Sequence, residues 1–445
     1  MTAQALETTK GAAGAVPAKF EVGGKRAVFV LWICSLLYMV NFMDRQVFAV
    51  AAAPMIKALG MTKAEVGWIN NIFLLTIACL GIPVSYIVDR WSRRKMICIL
   101  GLIWSVGIFL TGLGQGFVTV LIGMMIVGLG EAGFGPAGTA LIGASYPPAQ
   151  RGAKLGIFNM FIGIGIVVGL IAGGYCAQTW GWRMPFFLFA VPGIILAIIA
   201  LNLQDYPTRP KADTGENFLQ SFVAIWKTPT LVWLYLGYGM FMAMFMGNLF
   251  WMVPALIFRF KISVAVAPLI IGGLIFASLW AVPLGGWIGD RWEAKTPGGR
   301  MRTAACSSVL AGLLVILYYY LAFFVHTGPL AWAPALLLGF LCMFLQAVAC
   351  GGVGPAVGAT TQMVVPVNRK SLSFGVAMAC MYALGGGWGS GIAGMIADRL
   401  GTGQPGDWKG LAYGVMIIAC AAILGGIFWW RSASHYESDF KRVQQ

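Results

Sequence analysis

Charge is what this sequence has least of. Only 10% of its 445 residues are Asp, Glu, Lys or Arg, where a soluble domain carries about 25%. A folded chain so poor in charge cannot keep its surface wet, which excludes a string of soluble domains. Histidine is nearly missing, at two residues, and none of the nine cysteines stands in a CxxC pair. Each cysteine lies in or beside an apolar run, so packing replaces metal binding and disulfides as its expected use. No GxxxxGK[ST] motif exists, which removes the usual mark of ATP-driven pumping. No run alternates with a strand's period, so a membrane β-barrel is excluded. No polar stretch is long enough for an appended enzyme, and no nucleophile–base or metal-ligand cluster suggests one within the membrane. No cofactor is expected. Met1 to Lys19 lacks a secretory signal pattern; polar and Ala-rich, it reads as disordered.

Apolar residues make up 59% of the chain, and mean hydropathy is +0.82. Marked off by charges, Pro and Gly, they form twelve runs of membrane-spanning length: 27–48, 65–88, 96–115, 118–143, 153–178, 184–202, 229–256, 264–288, 303–325, 330–352, 373–397 and 409–431. In lipid a helix satisfies its own backbone, so an all-α membrane protein is expected. The longest polar stretch between runs, Leu203 to Thr228, divides the spans into two sets of six. The expected organisation is a disordered N-terminus (1–26), a six-helix bundle (27–202), a linker (203–228), a second six-helix bundle (229–431) and a tail (432–445).

Basic residues set the orientation. With both ends on one side, that side holds 22 of the 30 Lys and Arg residues. The other holds 7: Lys57, Lys63, Arg183, Arg259, Lys261, Arg399 and Lys409; Arg45 lies within a span. This bias predicts cytoplasmic termini. The net charge of +15 is read as orientation, not as nucleic-acid binding. The expected partners are a small-molecule solute and membrane lipid, with the chain acting as a monomer and a multi-pass integral membrane protein, in the inner membrane if the source is bacterial.

The halves repeat one another. Val88-Asp89-Arg90-Trp91 follows the second span and Gly289-Asp290-Arg291-Trp292 the eighth. Gly133-Phe134-Gly135-Pro136-Ala137 marks the fourth span and Gly352-Val353-Gly354-Pro355-Ala356 the tenth. Parallel repeats of this kind place a substrate site near the midplane, between the halves.

Asp44, Arg45 and Glu131 are the ionisable groups inside the spans, all in the first half. A charge at the bilayer centre costs at least ~2.5–3.5 kcal/mol and by default marks an ion or substrate path. Asp44 and Glu131 are candidate proton carriers, loaded and unloaded by alternate exposure to water and to Arg45. The other reading is a static Asp44–Arg45 or Glu131–Arg45 pair that locks helices; three ionisable groups in one cavity is more than packing needs. Arg45 can also hold a substrate carboxylate through two parallel hydrogen bonds, or serve the acids alone as counter-ion. Tyr38, Asn41 and Arg45 share a helix face by their spacing. Asn159, Asn248 and Gln346 are further candidate substrate contacts, the alternative being interhelical hydrogen bonds worth about 0.6 kcal/mol. Asn70 and Asn71 lie at similar depth.

Tyr86-Ile87-Val88-Asp89-Arg90-Trp91-Ser92-Arg93-Arg94-Lys95 resembles the GxxxDRxGRRK signature of the major facilitator superfamily, with Ser85 and Ser92 in place of two glycines. Gly286-Trp287-Ile288-Gly289-Asp290-Arg291 resembles its second copy. Asn41-Phe42-Met43-Asp44-Arg45 and Gly128-Leu129-Gly130-Glu131-Ala132-Gly133 resemble motifs of the spinster-like and organic anion:cation symporter branches. Gly181-Trp182-Arg183-Met184-Pro185-Phe186 and Val191-Pro192-Gly193 favour the spinster-like branch. The resemblance implies twelve helices in two bundles working by alternating access. It implies the coupling role for Asp44, Arg45 and Glu131, and a latch between bundles made by Asp89, Arg90, Arg93, Arg94, Asp290 and Arg291. Both branches commonly carry an Arg where this chain has Met124, which speaks against a dianionic substrate. Gly165-x3-Gly169-Leu170-x2-Gly173-Gly174 is similar to the superfamily's antiporter motif, with Leu170 where proline is usual; close helix packing accounts for it better. The expectation is a proton-coupled secondary transporter of a small monocarboxylate with an apolar body. The alternatives are an exporter or flippase of amphipathic lipids or drug-like molecules, and a non-transporting membrane sensor.

Overall fold

The computed structural model describes residues 22–205, 218–325, 334–366, 369–402 and 406–444. The expected disordered start up to residue 21, linker residues 206–217 and the first residues of the 330–352 span lie outside these. Among the described residues all regular structure is helical. The first half comprises α1 (Gly24–Leu59), α2 (Lys63–Arg90), α3 (Arg93–Leu113), α4 (Phe117–Glu131), α5 (Phe134–Ser145), α6 (Pro148–Trp180) and α7 (Met184–Ile199). A short α8 (Phe218–Trp226) precedes the second half. That half comprises α9 (Pro229–Phe260), α10 (Val266–Ser278), α11 (Ala281–Glu293), α12 (Gly299–Tyr319), α13 (Pro334–Cys350), α14 (Val353–Met363), α15 (Lys370–Cys380), α16 (Gly389–Leu400) and α17 (Trp408–Gln444).

Eleven helices among the described residues are long and apolar enough to cross a membrane, with α4 and α5 counted as one, as are α10 and α11, and α13 and α14. The expected span 373–397 falls on α15, a π-helical turn Met381–Gly386, and α16. Three ends differ most from the sequence reading. The first helix continues to Leu59 through Pro54, because Ala49 to Ala53 pack inside the protein and hold the turn that Pro54 weakens. The tenth span continues through α14 to Met363 after a turn at Gly351–Gly352. The tail continues as helix α17, where buried Asp439 accepts from the amide and hydroxyl of Thr230 at the start of α9, at 3.0 and 2.7 Å.

Glycine sets how closely these helices approach. Gly165 and Gly169 of α6 lie against the carbonyls of Met39 and Met43 of α1, leaving no room for a Cβ. That is the packing use expected of the Gly165–Gly174 stretch.

The halves meet chiefly at one end. Gly67 of α2 lies on Ser390 and Gly391 of α16, and Gly394 lies on Lys63. Asp398 accepts from the Ala64 amide at 2.8 Å and pairs with Lys63 at 3.7 Å. On the opposite flank Gly174 of α6 meets Val264 and Pro268, and Gln178 accepts from the Val264 amide at 3.1 Å. Away from this closed end, α5 packs on α1, α2, α3, α4 and α6, and α11 on α12, α13 and α14, each within its own half. The halves therefore part toward the end that carries the charged loops.

Candidate functional site

Glu131 is placed by glycines. Gly128 presses on the backbone of Phe73 in α2, and Gly130 on Leu100 and Trp104 in α3. A side chain at either position would push α4 out from between them. At Glu131 the helix ends; Gly133 lets α5 resume against Val84 and Leu100. The carboxylate is thus delivered at a helix break in the bundle interior.

There it meets Arg45. Arg45 Nε donates to Glu131 Oε2 at 2.7 Å, with the two side chains 12% and 0% exposed. Arg45 Nη1 donates to the Tyr382 hydroxyl at 3.2 Å. The guanidinium carbon lies 4.5 Å from the centre of the Phe42 ring, 5.7 Å from Phe73 and 5.9 Å from Tyr382. Such contacts contribute about 0.5–2 kcal/mol each. Arg45 and Glu131 belong to the first half and Tyr382 to the second, so this cluster bridges the two. Arg45 Nη2 has no hydrogen-bond partner among the described residues.

Asp44 takes no part in this pairing. It is fully buried, and neither carboxyl oxygen has a hydrogen-bond partner among the described residues. Asn41 is buried with Nδ2 unpartnered, and Glu131 Oε1 is unpartnered too. Tyr38 stacks on Phe158 at 4.4 Å and crosses Phe42 edge-on at 5.2 Å, making the aromatic wall beside Arg45.

The other expected contacts are not brought to Arg45. Asn159 is exposed and donates to Leu155 O of its own helix at 2.9 Å. Gln346 donates to Cys350 Sγ at 2.9 Å, again within one helix. Asn248 is buried, its Oδ1 unpartnered. Met124, in place of a second cation, is buried in α4. Asn70 and Asn71 serve the closed end: Asn70 donates to Ser390 Oγ at 2.9 Å, and Ser390 Oγ donates to Asn71 Oδ1 at 2.5 Å.

Asp290, Arg291 and Ser92 of the charged loops find partners within their own halves in this conformation. Arg300 Nε donates to Asp290 at 2.7 Å, and Arg291 lies over the Trp287 ring. Ser92, where a glycine was expected, caps α3 by accepting from the Lys95 amide and donates to Asp205. Arg93 is buried and Arg94 half-buried at the start of α3. Asp89 and Arg90 sit on the last turn of α2, with side chains outside the described set. Among the described residues no group of three His, Cys, Asp or Glu side chains could hold a metal ion.

Three residues escaped the sequence reading. Tyr382 is one uncharged tyrosine among 13; the run Gly385-Gly386-Gly387 after it was the signal available. Lys63 and Asp398 lie at helix ends, where charge is ordinary.

Comparison with known proteins agrees with this architecture. The chain is 24% identical over 435 residues to an MFS-type efflux pump of Mycolicibacterium smegmatis, covering 94% of this chain and 95% of that one. It is 22% identical over 447 residues to protein spinster homolog 1 of Xenopus laevis, covering 94% and 83%. It superposes with a TM-score of 0.80, at 22% identity over 94% and 99% of the chains, on a bacterial homolog of the human lysosomal transporter Spinster in an inward-facing, unoccupied conformation. The Major Facilitator Superfamily sequence model matches residues 34–344, and the chain, a multi-pass integral membrane protein whose similarities run to the spinster-like branch, belongs to that superfamily of transporters.

Proposed function

We propose that this transporter couples proton movement to transport of a small monocarboxylate by alternating access. In this reading α15, the π-helical turn and α16 form a twelfth crossing, both termini are cytoplasmic, and the open end faces the cytoplasm. The protein acts as a monomer. The loop residues Asp89, Arg90, Arg93, Arg94, Asp290 and Arg291 latch the bundles when that end closes.

The observation that supports the carboxylate is Arg45. It sits where the halves meet, gives Nε to Glu131 and Nη1 to Tyr382, and keeps Nη2 for a ligand. A guanidinium face of this kind suits two parallel bonds to a carboxylate. Buried Met124 supplies no second cation, which favours one carboxylate over two. Asp44 supports proton binding. An ionised carboxylate with no partner is costly enough inside a protein that the group takes up a proton instead. Asp44 is then the loaded site in this conformation, and Glu131, paired with Arg45, the unloaded one. Asn159, Asn248 and Gln346 remain candidates for the substrate's outer contacts as the halves close on it.

Proteoliposomes with an imposed pH gradient test the reading. Carboxylates should trigger proton flux. Glu131→Gln should abolish proton-driven accumulation yet leave exchange, and Arg45→Ala should remove carboxylate binding. Unchanged accumulation in the first variant, or retained affinity in the second, rejects the assignment. A second reading, export of amphipathic molecules, draws on the similarity to an efflux pump. Proton flux triggered only by amphipaths would establish it in place of the first.

A further inference from the structure

Among the described residues the second half reaches the buried cluster through one hydrogen-bonding group, the Tyr382 hydroxyl, which accepts from Arg45 Nη1 at 3.2 Å. Tyr382 lies in a π-helical turn: the Gly387 amide donates to Tyr382 O, five residues back, at 2.6 Å. Such turns are rare and often mark working sites. This one is wedged between the halves. Gly385 lies on Gly239 and Met242 of α9, while Gly386 and Gly387 lie on Leu74 and Leu75 of α2.

The helix that follows is α16, the element that shuts the closed end. Its Ser390 holds Asn70, Asn71 and Gly67 of α2, while Trp251 of α9 donates to Ser390 O at 2.8 Å. Asp398, two turns on, caps the start of α2 and pairs with Lys63. A π turn carries one residue more than an α turn. Relaxing it rotates the following helix by roughly 100° and shifts it by about 1.5 Å. Ser390 and Asp398 could not keep their partners on α2 through that movement.

We propose that Tyr382 is the positioning residue that ties occupancy of Arg45 to the closed end. The phenol sits on Nη1, one of the two nitrogens that an end-on carboxylate uses. A carboxylate arriving on Nη1 and Nη2 displaces it. The π turn then relaxes, and α16 lets go of α2. This rests on the reading of Arg45 as the carboxylate site, but the tie itself can be measured without a ligand.

Hydrogen exchange read by mass spectrometry on the full chain in lipid nanodiscs, wild type against Tyr382→Phe, makes the test. The variant removes one oxygen and keeps the ring. In the empty protein it should speed exchange in 63–75 and 386–400 by about tenfold, as loss of one hydrogen bond to a charged group implies. Exchange in 93–113 should stay unchanged. Benzoate should speed the same two segments in wild type and add nothing in the variant, although the variant still binds it. Wild-type exchange in the empty variant overturns the proposal, as does a full benzoate response in it. A variant that loosens the two segments, beside a wild type deaf to every carboxylate, upholds the tie and removes the carboxylate reading instead.

Discussion

The Arg45–Glu131 pair can be weighed by a double-mutant cycle. Both groups are buried, and removing one partner of a buried pair costs about 3–5 kcal/mol because the other is stranded. The two single changes should not cost the same. Arg45→Met strands a carboxylate that is 0% exposed and whose Oε1 already has no partner, so it belongs near 5 kcal/mol. Glu131→Met leaves a guanidinium that keeps Tyr382 and three aromatic rings, so it belongs near 3 kcal/mol. The double variant replaces the pair by two apolar side chains of similar length and should lie within about 2 kcal/mol of wild type. Unfolding in mixed micelles titrated with SDS, followed by the fluorescence of the 17 tryptophans, gives the four stabilities. The coupling should be about 6 kcal/mol. Single costs that simply add would show that the two groups do not meet in the folded protein, and the site as described would be wrong.

Two further perturbations follow from the packing. A Cβ on Gly67 would sit 2.5 Å from Ser390 O and 2.9 Å from Gly391 Cα, both backbone atoms that cannot swing aside. Gly67→Ala should therefore prise α16 from α2 and speed hydrogen exchange in 389–400 without touching Arg45; unaltered exchange would deny that the glycine contact closes this end. Asp439→Ala removes the acceptor of the Thr230 amide and hydroxyl at the start of α9. It should cost about 2 kcal/mol in the same SDS titration, with Asp439→Asn recovering part of it, and a neutral result would mean that water takes over the cap.

Features that depend on long-range burial could be read from the chain, and those that depend on local geometry could not. Lipid demands length and apolarity, and both are counted in residues, so eleven of the expected spans emerged with their ends as the main error. Glu131 and Arg45 were visible because charge is rare in such runs. Their pairing was left open between Asp44 and Glu131, since adjacent residues on a helix point in different directions and only the packing of α4 decides which acid arrives. The closed end was invisible for the opposite reason. It is built from Gly67, Ser390, Gly391 and Gly394, small residues that occur throughout membrane helices and whose message lies in which backbone they touch. Tyr382 was hidden twice, as one tyrosine among many and as part of a turn whose extra residue shows only in the hydrogen bond from Gly387 to Tyr382 O.

A single guanidinium shared among several acceptors also accounts for why two ligands would be needed. Arginine keeps its charge in proteins, so each acceptor that leaves Arg45 must be replaced or neutralised. Moving a two-state protein from 1:99 to 99:1 requires about 5.5 kcal/mol of differential binding. One hydrogen bond to a charged group is worth about 1.5–3 kcal/mol. A carboxylate that displaces only Tyr382 falls short of the total, and so does a proton that only releases Glu131 from Nε. Acting on the two sides of the same guanidinium, they supply about 3–6 kcal/mol together, a range that spans the total required. In the proposed function, cargo and proton are coupled because neither contributes enough alone to turn the protein over. A variant that weakens either hold, at Tyr382 or at Glu131, should transport with a looser ratio of proton to cargo instead of merely transporting more slowly.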